Sequence, residues 1–416
     1  MKICLVSQEY PPETARGGIG SQTWNKAQVL TDLGHEVHVL SCAESPDSPD
    51  LRTGSESGVT VHRMRPPDSG TAVYEEETYW FGYTWSVFRH LSRLVETHRY
   101  DVLDFPEYGA EGFAFQLDRA HWGRVPTVVH LHGPLAMFSE RIGWPDPETE
   151  FFRLATFMER LSIQRADALI SSSENIADFT AAYYGADRAG IEVVHGGIDV
   201  DEFAPMPQIR RSRRPTVLFV GNIADNKGAP TLVDAVIRLR AKYPDILLQL
   251  LGKGDDSIVR NLRRRSREAG AGRNIRFGGF VKERGELPGH YARADVFCSP
   301  ALHEKGVASV YVEAMACGCP VVASTTGGAP EAVEHGVSGL LVPPHDVEAT
   351  AAALDAILGD PVTRERMSIA ARQRAEDYFA LEKFAERVLI GYERAVERFL
   401  ERTGTGLNRN RWAGSR

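Results

Sequence analysis

Short apolar runs alternate with helical segments through the first half of the chain. In order, the runs read ICLVS, EVHVLS, VTVHR, YDVLDF, PTVVHLH and DALISSS, at residues 3–7, 36–41, 59–63, 100–105, 126–132 and 167–173. A helix is predicted from about residue 21 to 33, where Gly34 is well placed to end it. Strands separated by helices in this way form a largely parallel sheet covered on both faces.

A second series of apolar runs follows a segment rich in proline and arginine, APMPQIRRSRRP, at residues 204–215. Its runs read TVLFVG, ILLQLLG, NIRFGGF, DVFCSP, PVVAS and GLLV. The fold class is therefore predicted to be α/β, with two doubly wound, Rossmann-like domains facing each other across a cleft. Residues 1–204 form the first predicted domain and residues 205–380 the second. An amphipathic helix at 381–402 is expected to pack back on the first domain, and the tail at 403–416 to be disordered.

Composition narrows the class of protein. A chain of 416 residues exceeds the usual size of a single core, which agrees with two domains. The net charge of −8 gives no sign of a nucleic-acid partner. Because no run of about 18 apolar residues occurs and the five cysteines are odd in number, a cytoplasmic protein with reduced thiols is expected. Arginine-rich runs at 210–214 and 260–267 are predicted to be solvated faces, with peripheral contact at the inner face of a membrane as the alternative.

Glycine-bearing loops follow the first strand of each predicted domain. Gly17 and Gly18 could bring backbone N–H groups close to a phosphate, although a simple turn would use the same residues. In the second domain, Lys227 could place a positive charge on a diphosphate and Asn222 could donate a hydrogen bond; the alternative is a solvated lysine in a turn. Gly252 ends another strand, in a sequence that lacks P-loop spacing.

His132 ends the run PTVVHLH, at the edge where a parallel sheet binds ligands. His130 lies two residues earlier and therefore on the same face of an extended strand. A purely structural histidine is the alternative at His132. Asp199 and Asp201 have the form of a metal-binding acid pair, but neither they nor any other cluster of His, Cys or carboxylate residues is predicted to hold a metal.

The segment from Cys298 to Asp346 is the most informative part of the sequence. Glu304 and Glu313 lie on either side of a glycine-bearing turn that opens a short predicted helix. Backbone N–H groups at a helix start attract phosphate, while a carboxylate accepts hydrogen bonds from sugar hydroxyls. This combination predicts a binding site for a sugar nucleotide.

Taken together, these segments resemble the family 4 retaining glycosyltransferases of the GT-B fold, the glycosyl transferases group 1. The resemblance spans nearly the whole chain, through GGIG, HG at 132, VVHGGIDVDEF, VLFVGNIADNKG, LLGKGD, EKGVASVYVEAMACGCPVVASTTGGAPEAV and GLLV. The strings EAMACG and GGAPE recur throughout that family. The resemblance implies an enzyme with no cofactor and no bound metal, since cationic side chains and helix dipoles replace the metal.

The resemblance also implies roles for individual residues. His132 would lie beside the anomeric centre, Lys227 would neutralise the donor diphosphate, and Glu304 would hold the donor sugar. Glu313 would bind the ribose hydroxyls. The remaining candidates for donor binding are Gly17, Gly18, Asn222, Gly252, Lys305, Ala308, Ser309 and Val310. The acceptor is expected to contact the first domain, near Glu107 and Tyr108 or the aromatic stretch TYWFGYTW.

Two departures from the family pattern bear on the donor. Glu304 and Glu313 are one residue farther apart than the family's acidic pair, so strict spacing places Lys305 at the first position. Either Glu304 fills that position through a one-residue bulge, which we favour, or Lys305 has changed recognition of the sugar. In addition, Asn222 stands where the family commonly has an arginine, which removes a positive charge from the diphosphate site.

The predicted function is retaining transfer of a hexosyl group from a nucleoside-diphosphate sugar, with UDP favoured, to a hydroxyl of a glycan, lipid or small molecule. One alternative is a phosphorylase or epimerase on a similar two-domain scaffold. The other is a sugar-nucleotide-binding protein that has lost catalysis through the altered glutamate spacing.

Overall fold

A computed structural model describes residues 1–14, 18–67, 78–118, 125–209 and 212–404. Internal contacts divide the chain into two compact units. The first runs from Met1 to Gly197 and includes the chain from Leu381 onward; the second runs from Ile198 to Ala380. Each unit consists of one open sheet and the helices that connect its strands.

The sheet of the first unit contains eight strands within the described residues. They are β1 Lys2–Val6, β2 Glu36–Cys42, β3 Leu51–Glu56, β4 Val59–Met64, β5 Val102–Pro106, β6 Thr127–Leu131, β7 Ala168–Ser171 and β8 Ile191–Val193. Within the described ranges, the helices between these strands are α1 Gly18–Asp32, α2 Tyr79–His98, α3 Phe113–Leu117, α4 Leu135–Ile142, α5 Glu150–Arg165 and α6 Glu174–Tyr184. The strand order is β3-β4-β2-β1-β5-β6-β7-β8. Neighbouring strands are parallel except for β3 and β4.

The sheet of the second unit has six strands, all parallel. They are β9 Thr216–Val220, β10 Leu247–Leu251, β11 Ile275–Gly279, β12 Val296–Ser299, β13 Val321–Ser324 and β14 Gly339–Val342. Its helices are α7 Ala229–Leu239, α8 Asp256–Glu268, α9 Leu287–Arg293, α10 Ser309–Ala316, α11 Ala329–Ala332, α12 Val347–Gly359 and α13 Pro361–Arg374. Short 3-10 or π turns occupy Arg188–Gly190, Asp225–Lys227, Arg284–Glu286 and Ala375–Phe379.

The strand order of the second sheet is β11-β10-β9-β12-β13-β14. This is the doubly wound order, in which the chain reverses direction across the sheet between the first strand and the fourth. Ligands of such sheets bind at that switch point, beyond the carboxyl ends of the strands. Here the switch point lies between β9 and β12.

The last helix, α14 Leu381–Thr403, packs on the first sheet. Phe384 and Val388 join the core cluster that contains Ile3 and Leu5 of β1. The alternate β1 residues, Cys4 and Val6, belong to a different cluster, so both faces of the sheet are covered. This bears out the predicted α/β class.

The boundary between the units falls after Gly197, ahead of the predicted residue 204. Ile198 forms a bridge with Ala380, and Phe203 packs in a core cluster of the second unit, so both residues are held there. Residues 405–416 of the predicted tail lie outside the described residues. Across the described ranges, no helix combines the length and apolar character that a membrane crossing requires.

Candidate active site

The loops that follow β9 and β12 meet at the switch point of the second unit. The Leu302 N–H donates a hydrogen bond to the Asn226 carbonyl oxygen at 2.9 Å. Gly228 has φ +73°, and a Cβ there would lie 2.1 Å from the Pro300 carbonyl oxygen. Glycine therefore allows a close approach that any side chain would prevent.

Lys227 and Glu304 form an ion pair on these two loops. The Lys227 Nζ lies 2.8 Å from both carboxylate oxygens of Glu304. Glu304 is nearly buried, whereas 31% of the Lys227 side chain is exposed. The ammonium group is therefore held by a buried acid and still reaches solvent. The structure thus brings together two residues that the sequence analysis selected separately.

A double glycine places the Glu304 loop. Glu304 forms a backbone bridge with Gly327, and the Gly328 N–H donates to the Glu304 carbonyl oxygen at 2.8 Å. A Cβ on Gly327, whose φ is +64°, would lie 1.8 Å from that same oxygen. The GGAPE segment therefore fixes the backbone of Glu304 by close contact, while Lys305 is half-buried beside it.

Glu313 lies on α10 and is buried. Its Oε1 accepts a hydrogen bond from Arg284 Nη2 at 3.0 Å, and its Oε2 accepts one from the Tyr291 hydroxyl at 2.9 Å. Burial raises the pKa of the carboxyl, and Arg284, Tyr291 and a hydrogen bond with Ser309 oppose that shift. The Arg284 side chain is 44% exposed, so Glu313 lies beside a cation that solvent can reach. Sequence reasoning missed Arg284 and Tyr291, because neither belongs to a recognisable motif.

The other predicted residues of this unit lie on the same loops or at the start of α10. Asn222 is exposed on the loop after β9. Gly252 follows β10, and its N–H donates to the Gly279 carbonyl oxygen at 2.8 Å. Ala308 is the N-cap of α10 and makes no side-chain capping bond. Ser309 and Val310 open that helix, so their N–H groups have no acceptor within it.

In the first unit, His132 follows β6 and lies on a loop held by Glu107. The Glu107 carboxylate accepts hydrogen bonds from the His132 N–H at 2.6 and 2.7 Å and from the Gly133 N–H at 2.5 Å. The His132 ring stacks on His130, with centroids 4.4 Å apart, so the two histidines share one face of the strand as predicted. Glu107 is fully buried and holds the backbone of the His132 loop, which differs from the expected contact of Glu107 with an acceptor.

A buried polar network lies beneath this loop. Lys26 of α1 donates to Asp104 of β5 at 2.7 Å, and its Nζ lies 2.8 Å from His130 Nδ1. The Tyr392 hydroxyl of α14 donates to Asp104 at 2.5 Å. Lys26 therefore ties α1, which begins at an exposed Gly18, to the centre of the sheet. No local pattern indicates this network, because its members are far apart in the chain. Gly17, predicted to lie near the donor, is outside the described residues.

Tyr108 is half-buried within an aromatic group. Its ring meets Trp80 edge-on at a centroid distance of 4.9 Å and Phe138 at 5.6 Å. Trp85 and Phe81, from the same predicted aromatic stretch as Trp80, are 51% and 40% exposed. The stretch therefore contributes both to packing and to the surface.

In the acid pair of Asp199 and Asp201, the Asp199 side chain stabilises a turn. Asp199 Oδ1 accepts hydrogen bonds from the N–H groups of Asp201 and Glu202, both at 2.9 Å. Within the described ranges, the group with metal-ligand spacing is instead a trio of histidines in the first unit, His38, His62 and His98. The sequence analysis missed this trio, because its members come from separate elements.

Several solved structures share this fold. A sucrose-phosphate synthase from Thermosynechococcus elongatus superposes with a TM-score of 0.78 at 20% identity, covering 94% of this chain and 98% of that one. HepE of Anabaena, in complex with UDP-glucose, gives a TM-score of 0.69 at 21% identity over 94% of this chain and 98% of that chain. These likenesses show that the chain has the GT-B fold.

Sequence comparison gives the family. Residues 202–374 match the profile of the glycosyl transferases group 1, and residues 17–197 match that of the glycosyl transferase 4-like domain. A D-inositol 3-phosphate glycosyltransferase of Kribbella flavida is 31% identical over 94% of this chain and 93% of that protein. A GDP-mannose-dependent alpha-(1-6)-phosphatidylinositol monomannoside mannosyltransferase of Mycolicibacterium smegmatis is 36% identical over 90% and 94%. The chain belongs to the glycosyl transferases group 1 and is a glycosyltransferase.

Proposed function

We propose that this enzyme transfers a hexosyl group from a nucleoside-diphosphate sugar to an acceptor hydroxyl, with retention at the anomeric carbon and without a metal ion. The observation that carries the proposal is the pair of Lys227 and Glu304 at the switch point of the second sheet. A partly exposed ammonium suits a diphosphate, and a carboxylate beside it suits sugar hydroxyls. Both halves of the donor thus have a partner within one pair of loops.

The donor diphosphate competes with Glu304 for Lys227. In the structure Glu304 neutralises the lysine, with both oxygens at 2.8 Å. A diphosphate that takes over Lys227 frees this carboxylate to accept hydrogen bonds from the sugar. The first N–H groups of α10, at Ser309 and Val310, add donors for phosphate oxygens. Arg284 offers a further exposed cation, and Glu313 beside it is proposed to bind the ribose hydroxyls.

Transfer breaks the bond from the anomeric carbon to the phosphate oxygen and forms one to the acceptor oxygen. The acceptor attacks the face that the leaving diphosphate vacates, and its proton passes to a phosphate oxygen. Stabilising the negative charge that grows on the diphosphate is the main contribution to the rate, and Lys227 is placed for it. The resemblance implies a role for His132 beside the anomeric centre, and this role stays a prediction.

The names of relatives bear on substrate choice. We predicted UDP as the donor nucleotide, whereas the relative at 36% identity is named for GDP-mannose. Relatives are also named for inositol phosphate and for a phosphatidylinositol mannoside as substrates. A nucleoside-diphosphate hexose therefore remains the proposed donor class, and a polyol phosphate is the first acceptor class to test.

A donor and acceptor screen tests this proposal. Purified enzyme is incubated with UDP-glucose, UDP-N-acetylglucosamine, ADP-glucose or GDP-mannose, with and without inositol phosphate, and release of nucleoside diphosphate is measured by mass spectrometry. We expect release with one nucleotide class, and a product that keeps the anomeric configuration of the donor. Absence of release with every pair, or an inverted product, would contradict the proposal.

Variants at adjacent positions decide which residue holds the sugar. Because Glu304 pairs with Lys227, we expect Glu304→Gln to lose on the order of 100-fold in kcat/KM for the donor, and Lys305→Ala to lose much less. The reverse order would assign the sugar position to Lys305.

A further inference from the structure

Three imidazole rings of the first unit converge from three different elements. His38 lies on β2, His62 on β4 and His98 at the last residue of α2. The ring centroids are 4.7 Å apart for His38 and His98, 5.1 Å for His38 and His62, and 5.7 Å for His62 and His98. One ring nitrogen from each lies within 4.8 Å of the other two.

The trio lies toward the amino ends of the strands. Helix α2 ends at His98 and β5 begins at Val102, so the end of this helix marks the edge where β5 starts. Glu107 and His132 follow the carboxyl ends of β5 and β6, at the opposite edge. The trio is therefore separate from the His132 loop.

Neighbouring side chains orient two of the rings. His62 Nδ1 lies 2.8 Å from the Thr53 hydroxyl, and His38 Nε2 lies 3.3 Å from a carboxylate oxygen of Glu36. On the inner side, His38 Nδ1 and His62 Nε2 lie 2.9 Å apart and share a hydrogen bond, whose proton a bound metal ion would displace. In metal sites, carboxylates, backbone carbonyl groups and water molecules orient histidine ligands through the ring nitrogen that does not bind the metal. The Tyr100 hydroxyl, 2.9 Å from His38 Nδ1, lies on the same inner side.

The distance between the inner nitrogens is close to that of a metal site. With Zn–N bonds of about 2.0–2.1 Å, tetrahedral ligand nitrogens are about 3.3–3.4 Å apart. The 2.9 Å separation of His38 and His62 requires an opening of a few tenths of an ångström. His38 and His62 are buried and His98 is half-buried, so His98 offers the route of entry.

We propose that His38, His62 and His98 bind a divalent transition-metal ion of the Zn²⁺ type, which ties β2 and β4 to the end of α2. A site with only nitrogen ligands favours Zn²⁺, Cu²⁺ or Ni²⁺ over Mg²⁺ or Ca²⁺. Three protein ligands leave a fourth position, for water or for the Tyr100 hydroxyl. This site goes beyond the proposed sugar transfer, since no donor or acceptor residue takes part in it.

Metal binding to the full-length, untagged chain tests the site. Chelator-treated protein is titrated with Zn²⁺ by calorimetry and with Co²⁺ by visible absorbance, and melting temperature is recorded with and without Zn²⁺. We expect one equivalent of Zn²⁺ to bind, a Co²⁺ spectrum typical of nitrogen coordination, and a higher melting temperature with Zn²⁺. Mg²⁺ should produce none of these changes.

Two variants on α2 test whether a loss of Zn²⁺ binding comes from the histidine trio itself or from a general effect on the fold. His98→Asn changes a half-buried ligand, so the chain should fold and bind Zn²⁺ at least 10-fold more weakly. His90→Asn changes a buried histidine of α2 outside the trio and should leave Zn²⁺ binding as it is. The proposal would be overturned if the wild-type chain showed no saturable Zn²⁺ binding, or if His98→Asn bound Zn²⁺ as tightly as wild type. It would also be overturned if His90→Asn lost as much Zn²⁺ affinity as His98→Asn. None of these readouts depends on glycosyl transfer, so failure here is distinct from failure of the proposed function.

Discussion

The glutamates near the carboxyl ends of the strands make opposite kinds of contact in the two sheets. In the second unit, Glu304 and Glu313 pair with the cations Lys227 and Arg284, both of which reach solvent. In the first unit, Glu107 lies fully buried on two backbone N–H groups. A carboxylate paired with an exposed cation can exchange that cation for a ligand, whereas one paired with backbone fixes a loop. The first arrangement suits binding of a charged donor, and the second suits a rigid frame for His132.

Removing Lys227, the cation that pairs with Glu304, should have the largest effect on activity. We expect Lys227→Ala to lower kcat/KM for the donor by on the order of 100- to 1,000-fold, because the charge on the leaving diphosphate loses its partner. The matched control is Lys242→Ala, which removes a lysine from an exposed ion pair with Asp355 in the same unit and should change the rate less than twofold. Nucleoside diphosphate release measures both, and equal rates in the two variants would remove Lys227 from the site.

Replacing the buried Glu107 should mainly lower the free energy of unfolding. Glu107→Ala leaves the N–H groups of His132 and Gly133 without their acceptor, at a cost of about 2–3 kcal/mol in the free energy of unfolding. Glu148→Ala, at an exposed glutamate of the same unit, should cost less than about 0.5 kcal/mol. Chemical denaturation checks both values. An unchanged stability in Glu107→Ala would mean that this carboxylate does not hold the loop.

The double glycine offers a sharper test of how Glu304 is placed. Gly327→Ala puts a Cβ 1.8 Å from the Glu304 carbonyl oxygen, so the loop must move and kcat should fall by about 10-fold. Gly336→Ala is the control, because Gly336 also has a positive φ, +77°, but has open space around it. Steady-state kinetics distinguish the two effects: equal losses would point to backbone strain rather than to the position of Glu304.

Taken per carboxyl and per pH unit, the smallest effect should appear in the pH dependence of stability. Burial raises the pKa of Glu111 and of Glu159 to about 8 and that of Glu107 to about 7, above the ordinary value of 4.5. Between pH 4.5 and 7 the folded chain therefore binds more protons than the unfolded one, so stability falls as pH rises. For each such carboxyl the decline is about 1 kcal/mol per pH unit. Denaturation at pH 5, 6 and 7 measures it; Glu159→Gln should reduce the slope, and an identical slope would contradict the assignment.

Much of the fold follows from local patterns. The apolar runs and the helices between them predict most strands of both sheets, because a parallel strand covered on two faces reads as a short hydrophobic segment. The edge strands β3 and β8 were not predicted, since β3 reads LRTGSE and is mostly exposed, and β8 has only three residues. Lys227 and Glu304 could be selected because they follow strand ends, and Glu313 because it lies one turn into a predicted helix. Their order and spacing along the chain also carry the resemblance to the family.

What the sequence does not predict depends on contacts between distant segments. The pairing of Glu313 with Arg284 and Tyr291 and the burial of Glu107 follow from tertiary packing, which leaves no spacing signal. The convergence of His38, His62 and His98 has the same origin, since their three elements meet only in the folded sheet. The unit boundary at Gly197 likewise depends on where Ile198 and Phe203 pack.

A double-mutant cycle on donor turnover tests the central claim, that Lys227 and Glu304 act together on one donor. Nucleoside diphosphate release is measured for wild type, Lys227→Ala, Glu304→Gln and the double variant, with the productive donor from the screen. Since the two side chains are in direct contact, the account predicts that the double variant loses far less than the product of the two single losses. Single variants within twofold of wild type, or losses that multiply, would contradict it.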